Sequence, residues 1–228
     1  MAKPLAFDFF SGAGGAAIGL KRAGFYVVGF DIKRPSAYAG DEFVQADVHD
    51  LPIKSVRDAA LVWASPPCQK YSCATINRVK EVLPDLIPIT RKVLKGHPYS
   101  VIENVPTAPI YKILELTGLS VGLPFIQRRR YFELSFICPQ PPAPPLPREV
   151  WESGQAITVW TGGGCTNALQ RERREKNGLP VGIPKKERMT KMGIPLTYQM
   201  TNKEIGESVP PRYSEYIARE ALRQMRTP

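Results

Sequence analysis

Cys68 stands at the end of an apolar run and directly after two prolines, in the stretch VWASPPCQKYS (62–72). A cysteine so placed is either a small buried hydrophobe or a nucleophile held at a loop tip. About 35 residues later, Glu103 and Asn104 close the stretch YSVIENV, and Arg128, Arg129 and Arg130 run consecutively in QRRRYF. A thiol can add to an electron-poor atom. A carboxyl can move the proton this requires, and a guanidinium can hold the oxygen on which charge builds. The other cysteines, Cys73, Cys138 and Cys165, form no C-x-x-C pair, and His49 and His97 are the only histidines. No zinc site or other metal centre is expected from this set, nor a disulfide framework.

The three groups can act together only if the fold brings them together. LAFDFF (5–10), YVVGF (26–30), EFVQAD (42–47), ALVWAS (60–65) and YSVIENV (99–105) read as short buried strands. YKILELTGL (111–119) and RRYFEL (129–134) read as a sixth and a seventh. SGAGGAAIGLKRAG (11–24) reads as a glycine turn followed by a helix, and PDLIPITRKVLKG (84–96) as a helix closed by Gly96. Strands alternating with helices predict an α/β fold with a mostly parallel, doubly wound sheet, whose ligands bind at the carboxyl edge of the strands. Cys68 follows strand four, Glu103 ends strand five and the arginines open strand seven, so thiol, carboxyl and guanidinium are expected in one cleft.

The same edge carries signs of a nucleotide-like ligand. Gly12, Gly14 and Gly15 sit between a strand and a helix, where the backbone can approach a ligand and the helix start favours negative charge. Asp31, at the end of strand two, is placed for ribose hydroxyls, and Asp47, after strand three, for an adenine amino group. A dinucleotide and S-adenosylmethionine both fit these features.

The proline-dense run CPQPPAPPLP (138–147) ends the α/β pattern. Residues 1–138 read as a catalytic and cofactor-binding core, 139–189 as a small loop-rich target-recognition insert, and 190–228 as a C-terminal segment. Its last helix, Pro211 to Met225, returns to the core. The net charge is +10, and QRERREKNGLPVGIPKKERMTK (170–191) contributes half of it, with eight basic and three acidic residues. Such an excess suits a polyanion. No apolar run reaches the ~20 residues that would cross a bilayer, and no signal peptide is read, so the expectation is a soluble cytoplasmic protein, in a bacterial or phage-infected cell.

FSGAGG, PPCQ, ENV and the arginine-rich segment, in that order, resemble the DNA cytosine-C5 methyltransferase family over Leu5 to Glu133, with a weaker likeness from Ile194 to Leu222. SPPCQKYS, RRRYFE and IPLTYQMTNKEIGESVPPRYSEYIA are most similar to compact phage and prophage members. The resemblance implies a Rossmann-like fold with S-adenosylmethionine as methyl donor, S-adenosylhomocysteine as product, and duplex DNA as partner of a monomer. A restriction endonuclease acting on the same site is a counterpart that the sequence does not reveal.

It further implies that Cys68 attacks C6 of a flipped cytosine, activated by nearby cationic charge. Glu103 would bond N3, and Arg129 or Arg130 would bind O2 and position Glu103. Cofactor contacts would come from Phe10, Ser11, Gly12, Gly14, Gly15, Asp31, Ile32, Asp47, Val48, Pro66, Ser208 and Val209. Substrate contacts would come from Ser65, Pro67, Gln69, Ser72, Asn104, Arg128, Arg171, Arg173, Arg174, Lys185 and Lys186.

Two departures from the family pattern stand out. Three consecutive arginines leave the register of the Gln-x-Arg-x-Arg pattern open, and Glu207 stands where many members carry asparagine. The competing readings are the same C5 chemistry on RNA or with a larger transferred group, an amino-methyltransferase, and a catalytically inactive binding module.

Overall fold

A computed structural model describes residues 2–50, 56–72, 75, 77–159 and 168–227. Seven strands form one sheet: β1 (Leu5–Phe9), β2 (Tyr26–Asp31), β3 (Glu42–Gln45), β4 (Leu61–Ala64), β5 (Ser100–Asn104), β6 (Leu114–Leu116) and β7 (Arg130–Leu134). Their spatial order is β3-β2-β1-β4-β5-β7-β6. The first five strands pair in parallel, and β7 is antiparallel to both β5 and β6. β4 (LVWA) and β5 (SVIEN) are buried at every position, as strands covered on both faces must be. This is the predicted Rossmann-like, mostly parallel architecture.

The described helices are α1 (Gly15–Ala23), α2 (Asn77–Val82), α3 (Ile87–Leu94), α4 (Arg148–Glu152), α5 (Ala168–Lys176), α6 (Lys185–Met192), α7 (Asn202–Glu207) and α8 (Pro211–Arg226). α8 buries Tyr213, Ile217, Ala218, Ala221 and Leu222 in the main core, together with Leu20 of α1, Trp63 and Phe132. Its Ser214 hydroxyl donates to the Ala16 carbonyl of α1 at 2.8 Å, which ties the end of the chain to the first helix.

Segment 139–189 carries α4, α5 and the start of α6. Its apolar residues Ile157, Val159, Ile183 and Met189 share a second core with Ala13, Ile18 and Ile126. An isolated parallel bridge, Ile126 with Ile157, attaches the segment just ahead of β7. No described helix is long and apolar enough to cross a membrane.

Two strands stop short of their predicted length. β3 ends at Gln45, and Asp47 then accepts the His49 backbone N–H at 2.9 Å, turning the chain into a short 3-10 helix. β6 keeps only Leu114–Leu116. Beyond it, the Ser120 hydroxyl donates to the Thr117 carbonyl and accepts from the Thr117 N–H, so these polar side chains replace the ladder.

Candidate active site

The carboxyl ends of β1, β2, β4 and β5 lie at one edge of the sheet because these strands are parallel. The start of β7 reaches the same edge for the opposite reason. β7 runs antiparallel, so Asn104 at the end of β5 faces Tyr131 near the beginning of β7. A cavity of about 1280 Å³ opens there.

Cys68, Glu103, Arg128 and Arg130 all line it. Arg130 Nε lies 2.8 Å from Glu103 Oε1, and both side chains are largely buried. Arg129 points the other way. It is largely exposed and pairs with Glu115 on the neighbouring strand. The expectation that Arg129 serves the site is therefore corrected by the period-two alternation of a strand. Arg128 shares the cavity side with Arg130. Its guanidinium donates to the carbonyls of Val159 and Gly206, 2.8 Å for the latter, which ties segment 139–189 and α7 to the cavity wall. Burial, with Arg130 nearby, lowers its pKa to about 9.

Cys68 follows Pro66 and Pro67 in a loop pinned at several points. Asn104 donates from Nδ2 to the Pro66 carbonyl at 2.9 Å. Thr107 donates to the Tyr71 carbonyl, and Lys70 donates to the carbonyls of Lys80 and Leu83 around the end of α2. Asn104 is fully buried and does not line the cavity, so its expected substrate contact is corrected to a structural one: it holds the loop that carries the thiol.

The thiol itself is not activated in this state. Burial raises its pKa, Glu103 adds to the rise, and Arg130 and Arg128 offset only part of it. The expected activation by nearby cations is thus outweighed by desolvation. Ser65, Pro67, Gln69 and Ser72 also line the cavity.

The other end of the cavity is built on the glycine turn. Phe10 (φ 57°) and Gly12 (φ 48°) adopt the left-handed conformation that reverses the chain after β1. Asp31 accepts the Gly12 N–H at 2.9 Å and the Lys33 N–H at 3.1 Å, so it holds the turn as well as facing the cavity. Phe10, Ser11, Gly12, Gly15, Ile32, Asp47, Val48, Pro66, Ser208 and Val209 line the cavity.

Gly14 does not line it, and that expectation is corrected. Its place is taken up by Tyr38: a Cβ on Gly14, Gly29 or Gly40 would come within 2.9, 2.3 or 2.1 Å of the Tyr38 ring. The Tyr38 hydroxyl in turn donates to Asp8 at 3.4 Å.

Asp8 is a site residue that the sequence reading missed. It lines the cavity, is fully buried, and has one carboxyl oxygen with no hydrogen-bond partner among the described residues. Burial raises its pKa to about 8. An aspartate inside the apolar strand LAFDF was the available signal, since acids are seldom buried unpaired. His49, Thr158 and Glu207 also line the cavity and were not expected there.

The cationic segment 170–191 is not one surface. Arg174 is completely buried, donates to Glu187 at 3.0 Å from two nitrogens, and bonds the Pro180 and Gly154 carbonyls. Its expected nucleic-acid contact is corrected to a core role. Arg173 lies 4.4 Å over the Trp151 ring. Arg171, Lys185 and Lys186 are exposed, away from the cavity lining. The candidate cysteines Cys73 and Cys165 lie outside the described residues.

Residues 6–107 match the family model of the C-5 cytosine-specific DNA methylase. No curated protein matches the chain. The chain is similar in fold to a methyltransferase, EhMeth, from Entamoeba histolytica (13% identity, 99% of this chain and 100% of that one, TM-score 0.64). It is similar also to the Dnmt2 methyltransferase of S. pombe (16% identity, 98% and 100%, TM-score 0.64). A third likeness is to a putative DNA modification methyltransferase encoded within an E. coli prophage (14% identity, 97% and 99%, TM-score 0.61).

Proposed function

We propose that this chain, over residues 6–107 a member of the C-5 cytosine-specific DNA methylase family, methylates C5 of cytosine in duplex DNA as a monomeric modification enzyme of the phage or prophage type. The observation that carries the reading is that Cys68, Glu103 and Arg130 line one cavity with the glycine turn and Asp31.

The cavity suits S-adenosylmethionine. Ser11 Oγ and Asp8 Oδ1 are buried in its wall without hydrogen-bond partners among the described residues, ready for a ligand with polar groups. Ile32, 59% exposed, offers an apolar surface to a flat base. Phe10, Gly12, Asp31, Asp47, Ser208 and Val209 would hold the cofactor, which when bound supplies an electrophilic methyl group.

The chain's own residues do the rest. C5 of cytosine is a weak nucleophile until C6 is attacked. The Cys68 thiol passes its proton to the Glu103 carboxylate as its sulfur bonds C6 and the C5=C6 bond opens, and Glu103 delivers that proton to N3, where negative charge collects. Arg130 holds both Glu103 and the base O2. Once C5 is methylated, its proton leaves to a base, the C6–S bond breaks, and Cys68 is restored. The target base must leave the duplex to reach such a site, at a few kcal/mol of unstacking. Gln69 and Ser72, which line the cavity, would meet the opened strand. Lys185 and Lys186 are available for phosphates.

A tritiated methyl donor with unmethylated duplex DNA tests the proposal. Label at C5 of cytosine is expected, with loss of turnover in Cys68→Ser. A 5-fluorocytosine duplex should trap a covalent adduct with the wild type alone. Label on RNA only, or on an exocyclic amine, would overturn the DNA C5 reading. The family model is that of a DNA methylase, and a prophage-encoded structural neighbour is described as a putative DNA modification methyltransferase, which support the choice of DNA as the substrate to test first.

A further inference from the structure

Six acidic side chains line the cavity: Asp8, Asp31, Asp47, Glu103, Glu204 and Glu207. Five are engaged. Asp8 takes the Tyr38 hydroxyl, Asp31 two backbone N–H groups, Asp47 the backbone and ring of His49, and Glu103 the Arg130 guanidinium. Glu204 completes a capping box with Thr201 and accepts from Ser36. Glu207 is different. Among the described residues, its one ion-pair partner is Lys203, at 3.9 Å and 72% exposed.

Glu207 keeps 40% of its side chain exposed toward the cavity and solvent, so it is weakly paired rather than buried in an ion pair. It is the last residue of α7, where the helix dipole is itself negative. Burial, more than any neighbouring charge, disfavours its carboxylate; Asp31 and Glu204 add to this, while Lys203 and Lys33 act against it. The unliganded fold therefore holds a weakly paired carboxylate in its cavity wall. A cation in the cavity would give that carboxylate a closer partner.

The chemistry of the proposed reaction supplies such a cation. The methyl donor carries a sulfonium, an ammonium and a carboxylate, for a net charge of +1. Its product has lost the sulfonium charge and is neutral. We propose that Glu207 is a specificity-determining residue that makes the cavity favour the cationic methyl donor over its neutral product, so that product leaves readily. This rests on the methyltransferase reading above and adds the charge selectivity of its cofactor cavity.

Calorimetric titration of the wild type and of Glu207→Gln with S-adenosylmethionine, S-adenosylhomocysteine and the ammonium-bearing analogue sinefungin tests it. For one unit charge across a partly solvated cavity, donor and sinefungin affinity should fall about threefold to tenfold, and product affinity should stay within about twofold. The melting temperature of the unliganded variant should equal or exceed that of the wild type. Glu207→Asn should behave as Glu207→Gln does, which separates charge from side-chain length.

Equal losses for donor and product, or no loss for either, would overturn the proposal while leaving the methyltransferase reading intact. A wild type that binds neither would overturn both.

Discussion

Arg130 Nε sits 2.8 Å from Glu103 Oε1 across the antiparallel seam between β7 and β5. Arg129, its neighbour in the chain, faces away and pairs with Glu115. Arg130→Ala removes a buried partner of a cavity carboxyl and should lower the single-turnover rate about 10²- to 10³-fold. Arg129→Ala breaks a largely exposed pair and should stay within about threefold. Rapid-quench measurement of methyl transfer distinguishes the two. Equal effects would contradict the register seen in β7.

The Cys68 thiol is held up by burial and by Glu103, and drawn down by Arg130 and Arg128. The signs give opposite expectations for two variants. Glu103→Gln should move the pH midpoint of Cys68 alkylation downward, and Arg130→Ala should move it upward. Iodoacetamide labelling across pH, read by mass spectrometry of the Cys68 peptide, checks both directions.

Asp8 has a folded-state pKa of about 8, raised above its ordinary value of 3.8 by burial. Between those values the folded state keeps a proton that the unfolded state has lost. Its contribution to stability is complete below pH about 4, falls as pH rises toward 8, and is gone above that. Urea unfolding of the unliganded protein should show this decline, and Asp8→Asn should flatten it. A wild type whose stability rises from pH 5 to 8 by the same amount as that of the variant would refute the assignment.

Tyr38 fills a space made by glycines. A Cβ on Gly29 would lie 2.3 Å from the ring. Gly29→Ala should destabilise the protein by about 1–3 kcal/mol through overpacking. Pairing it with Tyr38→Leu should recover part of that loss in a double-mutant cycle. Denaturant midpoints measure both.

Within segment 170–191 the basic residues should separate by burial. Arg174→Ala leaves Glu187 short of a buried partner and should cost about 3 kcal/mol of stability. Lys185→Ala and Lys186→Ala should leave stability within about 0.5 kcal/mol. Each should lower the salt dependence of DNA binding by about one unit of log–log slope if it meets a phosphate. Fluorescence anisotropy over a salt series reads the slope, and thermal melts read the stability.

Much of this molecule was determined by sequence alone. Short β-branched and aromatic runs closed by Gly, Pro or Asp marked β1, β2, β4 and β5 because buried strands need those residues and strand ends need those breakers. Parallel pairing then places every strand end at one edge, so Cys68, Glu103, Gly12 and Asp31 could be assigned to a common cleft without coordinates.

Other features depended on packing between distant residues. Which arginine of 128–130 serves the cavity follows from the antiparallel register of β7, and three identical residues carry no sign of that register. Asn104 is a loop anchor rather than a contact because the Pro66 carbonyl falls 2.9 Å from its amide. Arg174 is a core residue because Glu187, thirteen positions away, folds onto it. The resting thiol is unactivated because desolvation and Glu103 outweigh two arginines, a balance set by depth of burial. Composition and order supplied the reactive groups and their strand ends. Only the tertiary structure decided which way each side chain faces and how much water it keeps, and those two quantities set charge and reactivity.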